Sequence, residues 1–226
     1  MKKKQKKRKA VFFSFEGIDG SGKSMQAEAL NQQLKNTGYT TTLLREPGGT
    51  LISEKIRNIL LDKNHRAMAP LTELLLYEAA RAQLVSEKLD PLLQTNTIII
   101  ADRFFDSTTT YQGYGRSLPL EDIEALNTLV CKHTIPDRTY ILDISWKESL
   151  ERRNQISGPR DRMETQSKNF FENIKKGFTK LAQQKPNRIL MLNGEQSPEK
   201  LKKIILQDAL QVIKNKQKNT KTRKPS

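Results

Sequence analysis

Two hydrophobic periods alternate along the chain. Short apolar runs of strand composition recur as "VFFSFE", "YTTTLL", "TIIIAD", "RTYILDI" and "RILMLN". Between them, apolar residues three and four apart mark helices in "SMQAEALNQQLKNTG", "TLISEKIRNILL", "PLTELLLYEAARAQLVSEKL", "PLEDIEALNTLVCK", "WKESLERR", "QSKNFFENIKKGFTKLAQQ" and "SPEKLKKIILQDALQVIK". Gly38 closes the first helix, and Pro70 suits the first turn of the third. "TIIIAD" is apolar enough that both faces must be covered. Strands that alternate with helices predict an α/β fold: a doubly wound five-stranded parallel sheet flanked by helices. With no internal repeat and no linker, residues 11–213 read as one domain. In such a fold ligands gather at the carboxyl ends of the strands.

Charge divides the 226 residues differently. Seven Lys/Arg precede Ala10 and six follow from Lys214, with no acid among them. The ends therefore hold 13 of the formal +15, and the body keeps +2. Residues 1–10 and 214–226 are expected to be disordered basic tails that touch polyanions weakly. They lack the interleaved aromatics of a base-stacking surface, so no specific nucleic-acid partner is expected. No run approaches the ~18 apolar residues of a membrane span. "AVFFSF" follows basic residues as a leader would, but it is short and runs into Glu16 and Asp19. A single cysteine, Cys131, suits a reducing cytoplasm and a core position. His65 and His133 have no His or Cys neighbours of zinc-site spacing.

The end of the first strand carries the most specific motif. Gly17-Ile18-Asp19-Gly20-Ser21-Gly22-Lys23-Ser24 fits G-x-x-x-x-G-K-[ST] between a strand and a helix. Glycines let backbone N–H groups turn towards phosphate oxygens, and the helix N-terminus adds its dipole. Lys23 reaches the β/γ-phosphates in this arrangement, and the Ser24 hydroxyl ligates Mg²⁺. Asp19 is unusual beside bound phosphate: it is either a local turn acceptor or a carboxylate aimed at an acceptor or at metal-bound water. After the second strand, "LLREPGGT" sets Arg45 and Glu46 at the ligand edge, with Glu46 held extended by Pro47 and Thr50 placed to cap a helix.

"FEGIDGSGKS", "REPGGT", "YEAARAQL", "ADRFFDSTTTYQG" and "DRME" stand in the order seen in thymidylate (dTMP) kinases. The chain resembles that family, the bacterial type in particular, from about Val11 to Ile213. The resemblance implies a P-loop kinase architecture, ATP as donor, dTMP as acceptor, Mg²⁺ and a homodimer. Another nucleoside monophosphate kinase is the nearest rival. A P-loop nucleic-acid-binding ATPase that uses the basic tails is the rival from another class.

The acceptor side reads as follows. Tyr77 and Arg81 are one helical turn apart, an aromatic plate beside a cation. By resemblance Tyr77 stacks on thymine, and Arg81 meets the thymine edge or a nearby phosphate. Asp102 ends an apolar strand beside the P-loop, where an acid assists Mg²⁺, and Arg103 can hold the acceptor phosphate in bidentate fashion. Ser107, Tyr111 and Gln112 follow on a Thr-rich loop; by resemblance this segment reads thymine, and Tyr111 crowds the site of a ribose 2′-OH. "RRNQISGPRDRMET" reads as a lid over about 153–163, broken by Gly158-Pro159. Gly20 stands where eukaryotic-type relatives carry Arg, so the missing cation is expected from the lid, from Arg153 or Arg160. Asp161-Arg162 matches the pair that closes the family's lid.

Overall fold

The computed structural model describes residues 10–132, 134–155 and 160–221, with backbone alone for 219–221. Its strands are β1 (Val11–Glu16), β2 (Thr41–Arg45), β3 (Ile98–Asp102), β4 (Arg138–Asp143) and β5 (Ile189–Asn193). They form one parallel sheet in the order β2-β3-β1-β4-β5. The intervening helices are α1 (Lys23–Asn36), α2 (Leu51–Leu61), α3 (Pro70–Leu84), α4 (Asp90–Leu93), α5 (Phe105–Thr108), α6 (Leu120–Cys131), α7 (Trp146–Gln155), α8 (Lys168–Gln184) and α9 (Pro198–Lys221).

β1 is central, and its alternation sets both faces. Val11, Phe13 and Phe15 point into a core closed by α1 and α9. Phe12 points the other way, against α3, Phe104 and Cys131. A third cluster joins Ile18 and Tyr111 to Phe170, Phe171, Ile174 and Phe178 of α8. Burying one Phe stabilises by about 1.5–3 kcal/mol. β1 contributes three fully buried Phe, so the strand that carries the Gly-rich loop is firmly anchored. On its second face β1 turns polar at Ser14 and Glu16, both fully buried.

Three segments differ from expectation. The third helix does not end at Leu89: a widened π-helical turn, Val85–Leu89, leads into α4. Pro91 explains it, because in a regular helix its ring would clash with the carbonyl four residues back. Phe105–Gly115 is not a loop; α5 runs into a second π-helical turn, Thr109–Gly115. Its threonines satisfy the backbone themselves, Thr109 Oγ1 donating to Phe105 O (3.2 Å) and Thr110 Oγ1 to Asp106 O (3.1 Å). Finally, the chain does not leave the fold at Lys214. α9 continues to Lys221, where neither Gly nor Pro interrupts it. Lys216 Nζ donates to Asp137 Oδ2 (2.6 Å) and to Ala10 O (2.7 Å), tying that helix to the start of β1. The expected tail over residues 1–9, the stretch 222–226, the Gly158-Pro159 break and His133 lie outside the described residues.

Candidate active site

The turn after β1 depends on glycine. Gly17, Gly20 and Gly22 have φ of 139°, 81° and 85°, a region that L side chains rarely adopt. A Cβ on Gly17 would lie 2.6 Å from Leu142 O. Gly22 caps α1, so N–H groups of its first turn face the concavity. α7 braces the turn from outside: Ser149 Oγ donates to Asp19 O (2.7 Å), and Arg152 donates to Gly20 O (3.3 Å) and Gly194 O (3.1 Å). Lys23 Nζ contacts Asp19 Oδ1 at 3.2 Å. Ser24 Oγ donates to Asp102 Oδ2 at 2.5 Å. Asp102 Oδ1 is buried with no partner among the described residues. A hydroxyl and a carboxylate side by side at the phosphate loop fit a small hard divalent cation, which takes its other ligands from phosphate and water. Among the described residues, no three His, Cys, Asp or Glu side chains gather into an all-protein cage.

Arg103 bridges the loop and the rest of the cleft. It follows β3 with φ 71°, a left-handed conformation that costs a non-glycine residue roughly 1–2 kcal/mol. Its Nη1 donates to Gly17 O and Ser107 Oγ, each at 3.0 Å, and its Nη2 to Asp19 Oδ1 (2.6 Å) and Tyr111 Oη (3.1 Å). Its guanidinium lies 4.9 Å from the centre of the Tyr111 ring. Burial opposes the Arg103 charge, but Tyr111, Asp19, Asp102 and Glu16 outweigh it and raise its pKa further. Burial likewise would lift the Asp19 carboxyl, yet Lys23 and Arg103 hold it well below the ordinary range. Asp19 is therefore a carboxylate gripped by two cations, one from each side of the cleft.

Beyond Arg103 the cleft is walled by the turn after β2 and by α3. It encloses about 890 Å³, mouth included. Thr50 caps α2 by accepting from Ser53 N at 3.2 Å, and Glu54 Oε1 accepts from Gly49 N and Arg45 Nη2, each at 2.7 Å, which closes the Pro-Gly-Gly turn. Arg81 is buried, and its Nε and Nη1 donate to Glu46 Oε2 (2.7 Å) and Glu78 Oε1 (2.5 Å). Burial pushes the Glu46 carboxyl up to about 7, against the pull of Arg81. Tyr77 is half-buried over the cavity, and burial raises its phenol. Gln112 Nε2 donates to Glu73 Oε1 (2.9 Å), and Arg116 and Arg162 grip the same carboxylate at 3.0 and 2.6 Å.

The two candidate arginines of the expected lid are unlike. Arg153 is buried, its guanidinium 4.9 Å from the Trp146 ring centre and 5.0 Å from that of Phe171. Its Nη1 donates to Glu164 O (2.8 Å), while Nη2 is buried with no partner among the described residues. Burial, with Arg160 nearby, lowers its pKa. A Cβ on Gly20 would lie 3.4 Å from Arg153 Cγ, so Arg153 fills the space beside the glycine. Arg160 instead donates to Asn154 Oδ1.

Of the residues expected from sequence, Asp19, Lys23, Ser24, Glu46, Pro47, Tyr77, Arg81, Asp102, Arg103, Ser107, Tyr111 and Gln112 all line this one cleft. Arg153 and Arg160 do not line it, nor do Gly17, Ile18, Gly20, Ser21 and Gly22 of the phosphate turn beside it. The cleft also contains Asp161, expected only as part of the pair that closes the lid, and Arg57, Leu61, Thr108, Met163 and Glu164, to which sequence reasoning gave no site role. Arg57 Nη1 donates to Pro47 O at 2.9 Å; one polar position on an amphipathic helix offers no signal that a turn will fold over it. Asp161, Met163 and Glu164 stood inside the quoted "DRME" and were legible as a motif only.

The thymidylate kinase family model matches residues 15–205. The chain is 42% identical over 214 residues to the thymidylate kinase of Pelobacter propionicus, an alignment covering 92% of this chain and 96% of that one. It is 42% identical over 198 residues to that of a Thermoanaerobacter species, covering 88% and 96%. Among solved structures, thymidylate kinase from Ehrlichia chaffeensis superposes with a TM-score of 0.73 at 30% identity, covering 89% of this chain and 98% of that one.

Proposed function

This chain belongs to the thymidylate kinase family, and from that premise we propose how its cleft carries out the family's reaction. It is an ATP:dTMP phosphotransferase, making ADP and dTDP. Phosphoryl transfer needs little covalent help, so the task is to align two phosphates and neutralise their charge. The observation that carries the assignment is Arg103, which is bonded at once to the Gly-rich loop, to Asp19 and to the acceptor-side residues Ser107 and Tyr111.

In this reading residues 17–24 cradle the ATP phosphates, with Lys23 on the transferring group. The acceptor lies between Tyr77 and the Glu46-Pro47 turn, with Arg81 and Gln112 at its base and Tyr111 at its sugar. Arg103 Nη2 exchanges Asp19 for the dTMP phosphate while Nη1 stays on Ser107. Asp19 faces that same phosphate region and keeps Lys23 and Arg103 at a fixed spacing until substrates arrive. Ser24 and Asp102 would hold Mg²⁺, which when bound supplies charge neutralisation to the phosphates. Arg153 supplies the cation absent at Gly20. Its position against Gly20 and its unpartnered Nη2 favour it over Arg160. Residues 11–213 form the catalytic domain with α9 continuing beyond it, and the basic ends contribute only weak polyanion affinity.

The enzyme is further proposed to act as a cytoplasmic homodimer. Leu51, Ile52 and Ile59 of α2 and Leu71 and Leu75 of α3 are exposed, Leu51 at 76%. α2 and α3 pack together, so these residues give one apolar surface that a second copy would cover. A monomeric mass at micromolar concentration would contradict this. No helix among the described residues is long and apolar enough to cross a membrane.

Lys23→Ala tests the division of the cleft. Turnover should be lost, calorimetric ATP affinity should fall, and dTMP affinity should hold within about threefold. Normal turnover by the folded variant would overturn the assignment of the donor half.

A further inference from the structure

β1 ends in a carboxylate to which the reading above gives no role. Glu16 is fully buried and does not line the cleft. Both its oxygens are acceptors. Oε1 takes the N–H of Phe104 at 2.8 Å, and Oε2 takes the Ser107 hydroxyl at 2.5 Å. These two donors lie on either side of what Arg103 does. The Phe104 amide belongs to the peptide just after Arg103, the residue with a φ of 71°. Ser107 Oγ gives its only proton to Glu16 and accepts from Arg103 Nη1 at 3.0 Å. On the preceding side, the Arg103 amide donates to Phe15 O at 2.9 Å. The end of β1 thus holds the backbone of Arg103 before and after its Cα, and steadies its guanidinium through one hydroxyl.

Glu16 sits there at a cost. Burial and the neighbouring Asp106 push its carboxyl upward. Asp106 itself is taken by Arg188, with bonds of 2.6 and 2.7 Å. Glu16 has no ion pair among the described residues, and burying an acid without one is costly. We infer that Glu16 is a positioning residue for the transfer reaction: through Ser107 and the Phe104 amide it fixes the direction in which Arg103 presents its guanidinium to the acceptor phosphate. The inference rests on the reading of Arg103 as that phosphate's partner.

Hydrogen-bond polarity makes it testable. Above the pH of about 8 to which its carboxyl is raised, Glu16 is ionised, draws the Ser107 proton and leaves the hydroxyl lone pairs to Arg103. Glu16→Gln keeps the shape but introduces an amide with one acceptor and one donor end. Whichever way it turns, either Phe104 N–H faces a donor, or Ser107 Oγ must accept from Gln in competition with Arg103. The effect should fall on the phosphate of dTMP, not on its base.

The experiment compares dTMP with thymidine, the same nucleoside without the phosphate. Calorimetric affinities for both, with steady-state KM for ATP and Tm, are measured at about pH 9, where Glu16 is ionised, in wild type, Glu16→Gln, Ser107→Ala and Arg103→Ala. Glu16→Gln and Ser107→Ala should each lower dTMP affinity 10- to 100-fold, while thymidine affinity and KM for ATP stay within about threefold. A folded Glu16→Gln enzyme with wild-type dTMP affinity overturns the inference, as does an equal loss for thymidine. If Glu16→Gln does not fold, Ser107→Ala decides by the same comparison. Arg103→Ala separates the two levels. Undiminished dTMP affinity there overturns the reading of Arg103 itself, whereas a loss there with Glu16→Gln intact overturns the relay alone.

Discussion

Arg153→Gln should separate packing from chemistry at the far side of the phosphate loop. Arg153 is only 5% exposed and lies against two neighbouring aromatic rings. A desolvated cation–π contact is worth about 1–2 kcal/mol, so loss of two predicts a destabilisation of about 2–4 kcal/mol and a clear fall in Tm. Its Nη2 has no partner among the described residues and the stem packs on Gly20. If that nitrogen meets charge developing on the transferring group, removing one such donor costs about 2.7–4 kcal/mol, or ~10²–10³ in kcat. The loss should sit in kcat, because the contact strengthens only in the transition state. KM for ATP and dTMP should each move less than about fivefold. A coupled ADP-release assay below the variant's Tm gives all three constants, and Arg160→Gln is the control. Arg160 is paired with Asn154, so its replacement should cost less than about fivefold. A kcat within threefold of wild type in Arg153→Gln, or a larger loss in Arg160→Gln, would refute the assignment.

Glu46 gives a pH prediction: its carboxyl is raised from 4.5 to about 7, so the native state holds a proton the unfolded chain has released, and this group's contribution to stability falls as pH rises through that window. Glu46→Gln should therefore raise Tm relative to wild type more at pH 8 than at pH 5; an equal difference at both would refute the shift. Tyr111→Ala should relax the preference for dTMP over ribothymidine monophosphate by about 5–150-fold, the equivalent of ~1–3 kcal/mol, whereas Tyr111→Phe, which loses only the hydroxyl that accepts from Arg103, should lower kcat/KM for both sugars together; unchanged preference in the Ala variant would move sugar selection elsewhere. Removing residues 1–9 and 222–226 should leave dTMP turnover near wild type, while cutting at Lys214 should lower Tm by removing Lys216 from Asp137 and Ala10; equal Tm for the two truncations would show that this contact stabilises nothing.

Much of the fold was legible because its signals are local. Apolar runs located every strand, and the Gly-rich turn followed from residue types alone. The segments that were misread are those in which long-range packing overrides local preference. Thr108, Thr109 and Thr110 argue against helix by propensity, yet the hydroxyls of Thr109 and Thr110 bond back to the backbone and α8 packs over this turn. Lys214 onward looked like a solvated charge run, yet Lys216 finds Asp137, 79 residues away. The same limit applies at the site. Lys23, Ser24, Asp102 and Arg103 lie in motifs and were found. Glu16 and Glu73 are acids whose roles arise from partners 88 and 43 residues off, and nothing in their own neighbourhoods distinguishes them. Arg81 was expected to face the acceptor; it lines the cleft, with two of its nitrogens bonded to Glu46 and Glu78.

A thymidylate kinase should transfer phosphate from ATP to dTMP in preference to other nucleoside monophosphates. The most direct measurement is kcat/KM of the full chain in a coupled ADP-release assay with ATP, Mg²⁺ and, in turn, dTMP, dUMP, dCMP and AMP, with a blank lacking acceptor. Turnover of dTMP should be at least tenfold above each of the others, with a blank rate near zero. Preference for another monophosphate, or hydrolysis of ATP at the same rate without any acceptor, would contradict it.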